Sequence, residues 1–312
     1  MQPIKSTLVL GVLICLAWTL PAQTPTDAIL MRQKETCIAA VYQHSWFDEY
    51  WEGANLRTNA TIATVRRNMA SGMLAIGILD RLNLLAGLPY VQTVSTEPNG
   101  GKFAGAQGIQ DLSLALKGKV LEKNLGPGKV ALLAVAGFSM PLSNYPSDYR
   151  PYSIGFGATE WSLRGMLEYT FDMGLYFRGA LAHLWRGTTE AERDYYYSNG
   201  SYYTSTMDVP NAWNLNAAAG IWLLDEALRL ELTYQSLSST SGDDIRPYSA
   251  PQPTNMVVFG QAGGFGQYYF GKNRRLGVLA FYSATLHGRN EGKSTLFGAG
   301  LNYIFPLGKQ KK

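Results

Sequence analysis

The connections between apolar segments constrain this chain more than any other feature. From about residue 36 to residue 305, segments of roughly 10 to 14 residues with alternating apolar and polar side chains follow one another. The links between them alternate in length. Short ones fall at Asp80-Arg81, EKNLGPG (122 to 128), TFD (170 to 172), LDEA (224 to 227) and GKNRR (271 to 275). Long ones fall at 46 to 57, 92 to 107, 141 to 157, 187 to 212, 240 to 254 and 287 to 293. An up-and-down membrane barrel needs only tight reversals on its periplasmic side and carries longer loops outside. A Greek-key sandwich has no reason to obey that rule.

Within the segments, side chains split between two faces. In LSLALKGKVL (112 to 121), Leu112, Leu114, Leu116, Gly118 and Val120 point one way, while Ser113, Lys117 and Lys119 point the other. Trp161, Leu163, Leu167 and Tyr169 oppose Ser162, Arg164, Glu168 and Thr170. Leu228, Leu230, Leu232 and Tyr234 likewise oppose Arg229, Glu231, Thr233 and Gln235. One face suits lipid and the other water.

The chain therefore reads as an all-β, up-and-down antiparallel transmembrane β-barrel of about twelve strands, spanning 37 to 305. The strands are expected at 37–46, 58–79, 82–92, 108–121, 129–140, 157–169, 173–186, 213–223, 228–239, 255–270, 275–286 and 294–305. An even count places both ends on the periplasmic side, as bacterial barrels require. Trp46, Trp51, Tyr90, Trp161, Tyr169, Trp185, Trp213, Tyr303 and Phe305 lie near strand ends, where interfacial girdles form. The last strand, STLFGAGLNYIF, ends on an aromatic, resembling the signal read by the outer-membrane assembly machinery, although Pro306 to Lys312 follow it.

Composition agrees with a protein poor in soluble surface. Only 16% of residues are charged, with 33 Gly and 19 Tyr, against about 25% charged in average soluble domains. After the first segment no run reaches the roughly 18 apolar residues of a membrane helix. Residues 1 to 23 read as a signal peptide: Lys5, then the apolar TLVLGVLICLAWTL, then Pro21-Ala22-Gln23. Export to the outer membrane of a Gram-negative bacterium follows, with lipid as surroundings. Residues 24 to 36 are expected to form an N-terminal periplasmic segment, and 306 to 312 a basic tail. Beyond residue 23 only Cys37 remains, which leaves no intrachain disulfide and no thiolate metal cage. The net charge of +4 is too small and too scattered for nucleic-acid binding.

The inward face supplies the candidate site: Lys117, Lys119, Arg164, Glu168, Arg178, Arg229 and Glu231. Charges of both signs in a narrow barrel pair into a stabilising network. The alternative is a selectivity ring around a pore. No catalytic, cofactor or metal motif competes. His44, His183 and His287 lie far apart, in none of the metal-ligand spacings, and His183 shares a face with Leu175, Phe177 and Leu181. A Ser–His lipid hydrolase is thus the weakest reading. The Gly-rich GQAGGFGQYYFG (260 to 271) is followed by no helix pattern and suits a kinked strand. The Tyr-rich ERDYYYSNGSYYTST (192 to 206) suits either glycan or partner binding, or a fold over the barrel mouth.

Two further segments carry a family resemblance. GILDRLNLLAGLPYV (77 to 91) turns through Asp-Arg and continues to Leu-Pro-Tyr-Val; GIQDLSLALKGKVL (108 to 121) begins Gly-x-x-Asp and ends in a Lys-containing stretch. With VALLAVAGFSMPL (130 to 142), they resemble the outer-membrane transporter family named for the MetA pathway of phenol degradation. The resemblance implies a barrel related to fatty-acid and aromatic-hydrocarbon transporters, passing hydrophobic small molecules. The same residues also have structural uses: Asp80 and Arg81 at a tight turn, Pro89 where a strand leaves its ladder, and Asp111 bonding the backbone after Gly108. The expected function is passive uptake of a small, hydrophobic or aromatic compound by a monomer. The alternative is a closed structural or adhesive barrel acting through its loops.

Overall fold

The computed structural model describes residues 24 to 197, 200 to 246 and 251 to 307. The expected signal peptide and the GKQKK tail lie outside them. Twelve long strands form the barrel: β1 (Glu35–Phe47), β2 (Val65–Leu79), β3 (Leu82–Ser95), β4 (Asp111–Asn124), β5 (Gly128–Pro141), β6 (Glu160–Phe171), β7 (Leu175–Arg186), β8 (Ala212–Leu223), β9 (Leu228–Ser239), β10 (Val258–Phe270), β11 (Leu276–Arg289) and β12 (Thr295–Pro306). Each pairs antiparallel with its sequence neighbour, and β1 pairs with β12 from Glu35↔Pro306 to Trp46↔Thr295. Closure matters because an open edge would leave backbone donors and acceptors in hydrocarbon with no partner.

The alternation read from the sequence sets the two faces. Leu114, Leu116, Leu163, Leu167, Leu230 and Leu232 are exposed on the outer wall, while Lys117, Arg178, Arg229 and Glu231 are buried inside. At the extracellular end an outer aromatic girdle forms: Trp46 with Phe297 and His183 with Trp213 pack edge to face, and Phe138 with Trp161 and His183 with Trp185 pack at a tilt. Three bulges, at Gly77/Leu79, Lys119/Leu121 and Gly260/Gln261, bend the sheet. The last falls in the Gly-rich segment read as a kinked strand.

Two local expectations are corrected. The second strand begins at Val65 and not at 58, because Glu49–Glu52 and Asn55–Thr58 form a separate hairpin in the first loop. The chain then reverses: Asn59 Oδ1 accepts the Ile62 amide at 3.3 Å, and Ile62 packs with Val65 and Tyr152. Trp51 belongs to that hairpin and not to a girdle; it is buried where a Cβ on Gly288 would come within 2.5 Å of its ring.

Leu232 is 73% exposed near the middle of β9, so Leu232→Arg places a guanidinium in the hydrocarbon. The expected loss, read by urea unfolding in lipid vesicles, is about 2–4 kcal/mol.

Candidate functional site

The lumen is occupied from below by the segment preceding β1. Residues 24 to 34 do not extend into the periplasm but fold up into the barrel, with Asp27, Leu30 and Met31 buried. Met31 packs with Cys37, Ala75, Leu85, Ala115, Val135, Tyr269 and Ile304, and Leu30 with Leu133, Met166 and Ala180. The periplasmic rim fastens its lower end. Asp80 Oδ1 accepts the Gln33 amide at 2.9 Å, Gly77 O accepts the Lys34 amide at 2.8 Å, and Asn83 donates to Met31 O at 3.3 Å. Gly77 is required there, since a Cβ would lie 1.9 Å from Arg32 O.

Asp27 ties this plug to the wall charges. Its carboxylate accepts from Lys117 Nζ at 2.7 Å, the Ile29 amide at 2.9 Å and the Thr24 hydroxyl at 2.7 Å. Lys117 also donates to Thr24 O at 2.9 Å. Burial alone would raise the Asp27 carboxyl; Lys117, Arg229 and Arg178 outweigh it and hold it below the ordinary carboxylate range.

Four of the other candidate charges join one another in the lumen. Glu231 accepts from Tyr176 at 2.6 Å, Arg178 at 2.8 Å and Arg229, and Arg178 reaches Glu168 at 3.1 Å. Arg229 also lies over the rings of Phe265 and Trp222. Lys117, Arg178 and Arg229 are thus matched by Asp27, Glu168 and Glu231, a network and not a ring. Lys119 stands apart at the rim, paired with Glu122. Sequence reasoning missed Asp27, whose only signal was an acid amid apolar residues beside the first strand.

The extracellular mouth is occupied by the loop 142 to 159. Tyr152 and Ile154 are buried; Thr93 donates to Tyr152 O at 2.5 Å and Arg67 to Ile154 O at 2.8 Å. Phe156 lies between Arg150 and Arg186. Asp111, expected to bond the backbone after Gly108, instead accepts from the loop's Tyr145 hydroxyl at 2.6 Å.

Between these fillings a cavity of ≈ 180 Å³ remains, with Pro25 of the plug in its lining. Inward residues Met73, Leu85, Ser113, Val135, Ser162 and Arg164 line it together with outward Leu74, Ala86, Leu114 and Phe138. Residues of both faces thus border it. Its lining residues Gly87 and Ser113 adjoin the point where β3 and β4 pair imperfectly: their regular register ends at Gly87↔Ser113 and resumes at Tyr90↔Ile109, shifted by one residue. Pro89 in the gap has no amide to donate, although β3 keeps its register with β2 through Pro89↔Ser71. Gly87, Ser113, Gly137 and Ser162 keep this patch of wall thin.

His183 faces outward between Trp185 and Trp213. Its Nδ1 is buried without a hydrogen-bond partner among the described residues. In the Tyr-rich loop Tyr196 stacks on Tyr202, and Tyr203 is fully open to solvent.

Among solved structures, the chain is similar to the COG4313 outer membrane channel from Pseudomonas putida F1, at 13% identity and a TM-score of 0.73, covering 91% of this chain and 100% of that one. It aligns more loosely with the translocator domain of the autotransporter NalP from Neisseria meningitidis (15%, TM-score 0.46, 88% and 90% covered) and a FadL homologue from Pseudomonas aeruginosa (12%, TM-score 0.34, 88% and 91% covered). The first establishes the fold as that of outer-membrane barrels. No family model and no curated protein sequence matches the chain, so the resemblance over 77 to 142 rests on those residues alone.

Lys117→Met leaves the Asp27 carboxylate buried without its nearest cation. Urea unfolding followed by tryptophan fluorescence is expected to show a loss of about 3–5 kcal/mol, most of it recovered in Asp27→Asn with Lys117→Met. Because the folded pKa of Asp27 is depressed, its contribution is fully present above the unfolded value near 3.9. It is lost as pH falls from the unfolded value through the folded one, so any stability advantage of wild type over the double variant should shrink as pH is lowered below about 3.9.

Proposed function

We propose that this protein is an outer-membrane channel of a Gram-negative bacterium for passive uptake of a small apolar or aromatic compound, released sideways through the wall between β3 and β4. The observation that carries this reading is the cavity lined by both faces of the barrel. A polar solute moving along the axis would meet the loop 142 to 159 above and the plug below. An apolar one has another route in this reading, toward the outward-facing Leu74, Ala86, Leu114 and Phe138 that share the cavity lining. The similarity to a protein described as an outer membrane channel supports the same class. In this reading the partners are lipid and the transported molecule, and the working unit is one chain.

A closed barrel acting through its loops is the second reading, favoured by the balanced ion pairs in the lumen and the exposed Tyr195, Tyr202 and Tyr203. Uptake separates the two. Liposomes carrying the protein are expected to accumulate radiolabelled toluene faster than protein-free liposomes, with no step conductance to potassium chloride in planar bilayers. Ser113→Phe, which fills the cavity at the wall gap, should lower protein-dependent uptake at least fivefold while the barrel still folds. Uptake equal to that of protein-free vesicles would favour the closed barrel.

A further inference from the structure

Two inward-facing cations, Arg67 and Arg164, reach no carboxylate within 4.0 Å among the described residues, whereas Lys117, Lys119, Arg178, Arg186 and Arg229 each do. Arg67 is engaged at the mouth, donating to Ile154 O at 2.8 Å and Gln110 Oε1 at 3.4 Å. The Arg164 guanidinium is held by two neutral amides on β8: one terminal nitrogen donates to Asn214 Oδ1 at 2.9 Å and the other to Asn216 Oδ1. Those bonds fix its direction without neutralising its charge. Glu160, four residues earlier on the same face, is taken by Arg186 at 2.7 Å. Arg164, unlike Arg67, also lines the cavity. A partly buried cation held in place by neutral groups is costly unless something else supplies the negative charge.

The remainder of the lining describes what bears that charge. Ser113, Ser139 and Ser162 add hydroxyls on three successive strands, Met73, Leu85, Val135, Leu114 and Phe138 add apolar surface, and the Glu160 carboxylate in the lining is the one held by Arg186. At ≈ 180 Å³ the space is close to the roughly 150 Å³ that holds a benzene ring. We propose that Arg164 receives the carboxylate of a single-ring aromatic or short-chain acid whose apolar body lies against Met73, Leu85 and Val135 and points toward the β3–β4 gap. This inference rests on the channel reading and adds a polar head to its substrate.

Three ligands of one shape and different charge test it: benzoate, benzyl alcohol and benzylamine, measured by titration calorimetry on the full-length protein in detergent at pH 7.5. Hexanoate serves as a fourth, to separate an aromatic body from an aliphatic one. Benzoate, hexanoate or both should bind at least tenfold tighter than benzyl alcohol, with benzylamine weakest. Arg164→Gln should reduce the acids to the level of the alcohol, and Arg164→Lys should keep part of the preference. Heat-modifiable migration on a gel reports whether each variant is folded, and the wild-type comparison stands without them. Equal binding of the acids, alcohol and amine would overturn the anionic head while leaving the channel reading intact. Failure of all four to bind, together with no toluene uptake, would overturn both.

Discussion

Hydrocarbon accepts no hydrogen bonds, and every level of this molecule follows from that. A backbone crossing lipid without helices must give each amide and carbonyl a partner on a neighbouring strand, and the set of strands is complete only when the last meets the first. The β1–β12 seam meets that demand with twelve paired positions. Once the wall is closed, side chains alternate strictly between lipid and lumen, so polar groups collect inside. There they face a second form of the same problem: a narrow interior with little water, where an unpaired charge is expensive. Asp27 answers it by bringing a carboxylate from outside the wall to Lys117, which leaves three cations facing three carboxylates.

The architecture was legible because it depends on two simple periodicities, the two-residue alternation and the alternation of link length. Neither requires knowing which residues touch. The inward burial of Lys117, Arg178, Arg229 and Glu231 follows the same alternation, since parity along a strand decides which way a side chain points. What the lumen charges do was less legible. That Arg178 meets Glu231 and Glu168 while Arg164 meets two asparagines depends on register between strands far apart in sequence. Asp27 was invisible as a site residue because the segment before β1 has no periodicity and resembles any exported leader-proximal stretch. The first loop was misread because Asn55–Thr58 carries strand-like residues that pair locally instead of joining the wall.

The motif segments of 77 to 142 gain physical meaning from the structure. Asp80 fastens the plug, Gly77 lets the plug backbone approach the wall, and Pro89 interrupts pairing beside the cavity. Three residues noticed as punctuation between strands thus hold the lower filling in place and thin the wall above it.

The plug also has a bearing on how the molecule assembles. Residues 27 to 31 touch side chains on β4 and β5, on β6 and β7, and near the C-terminal seam, so their resting place exists only after most strands are in register. Loop-closure entropy penalises such long-range contacts until the intervening chain is ordered. The stretch preceding β1 would therefore settle late, and a barrel caught between closure and settling would be, for that interval, a wider and more hydrated tube than the finished one.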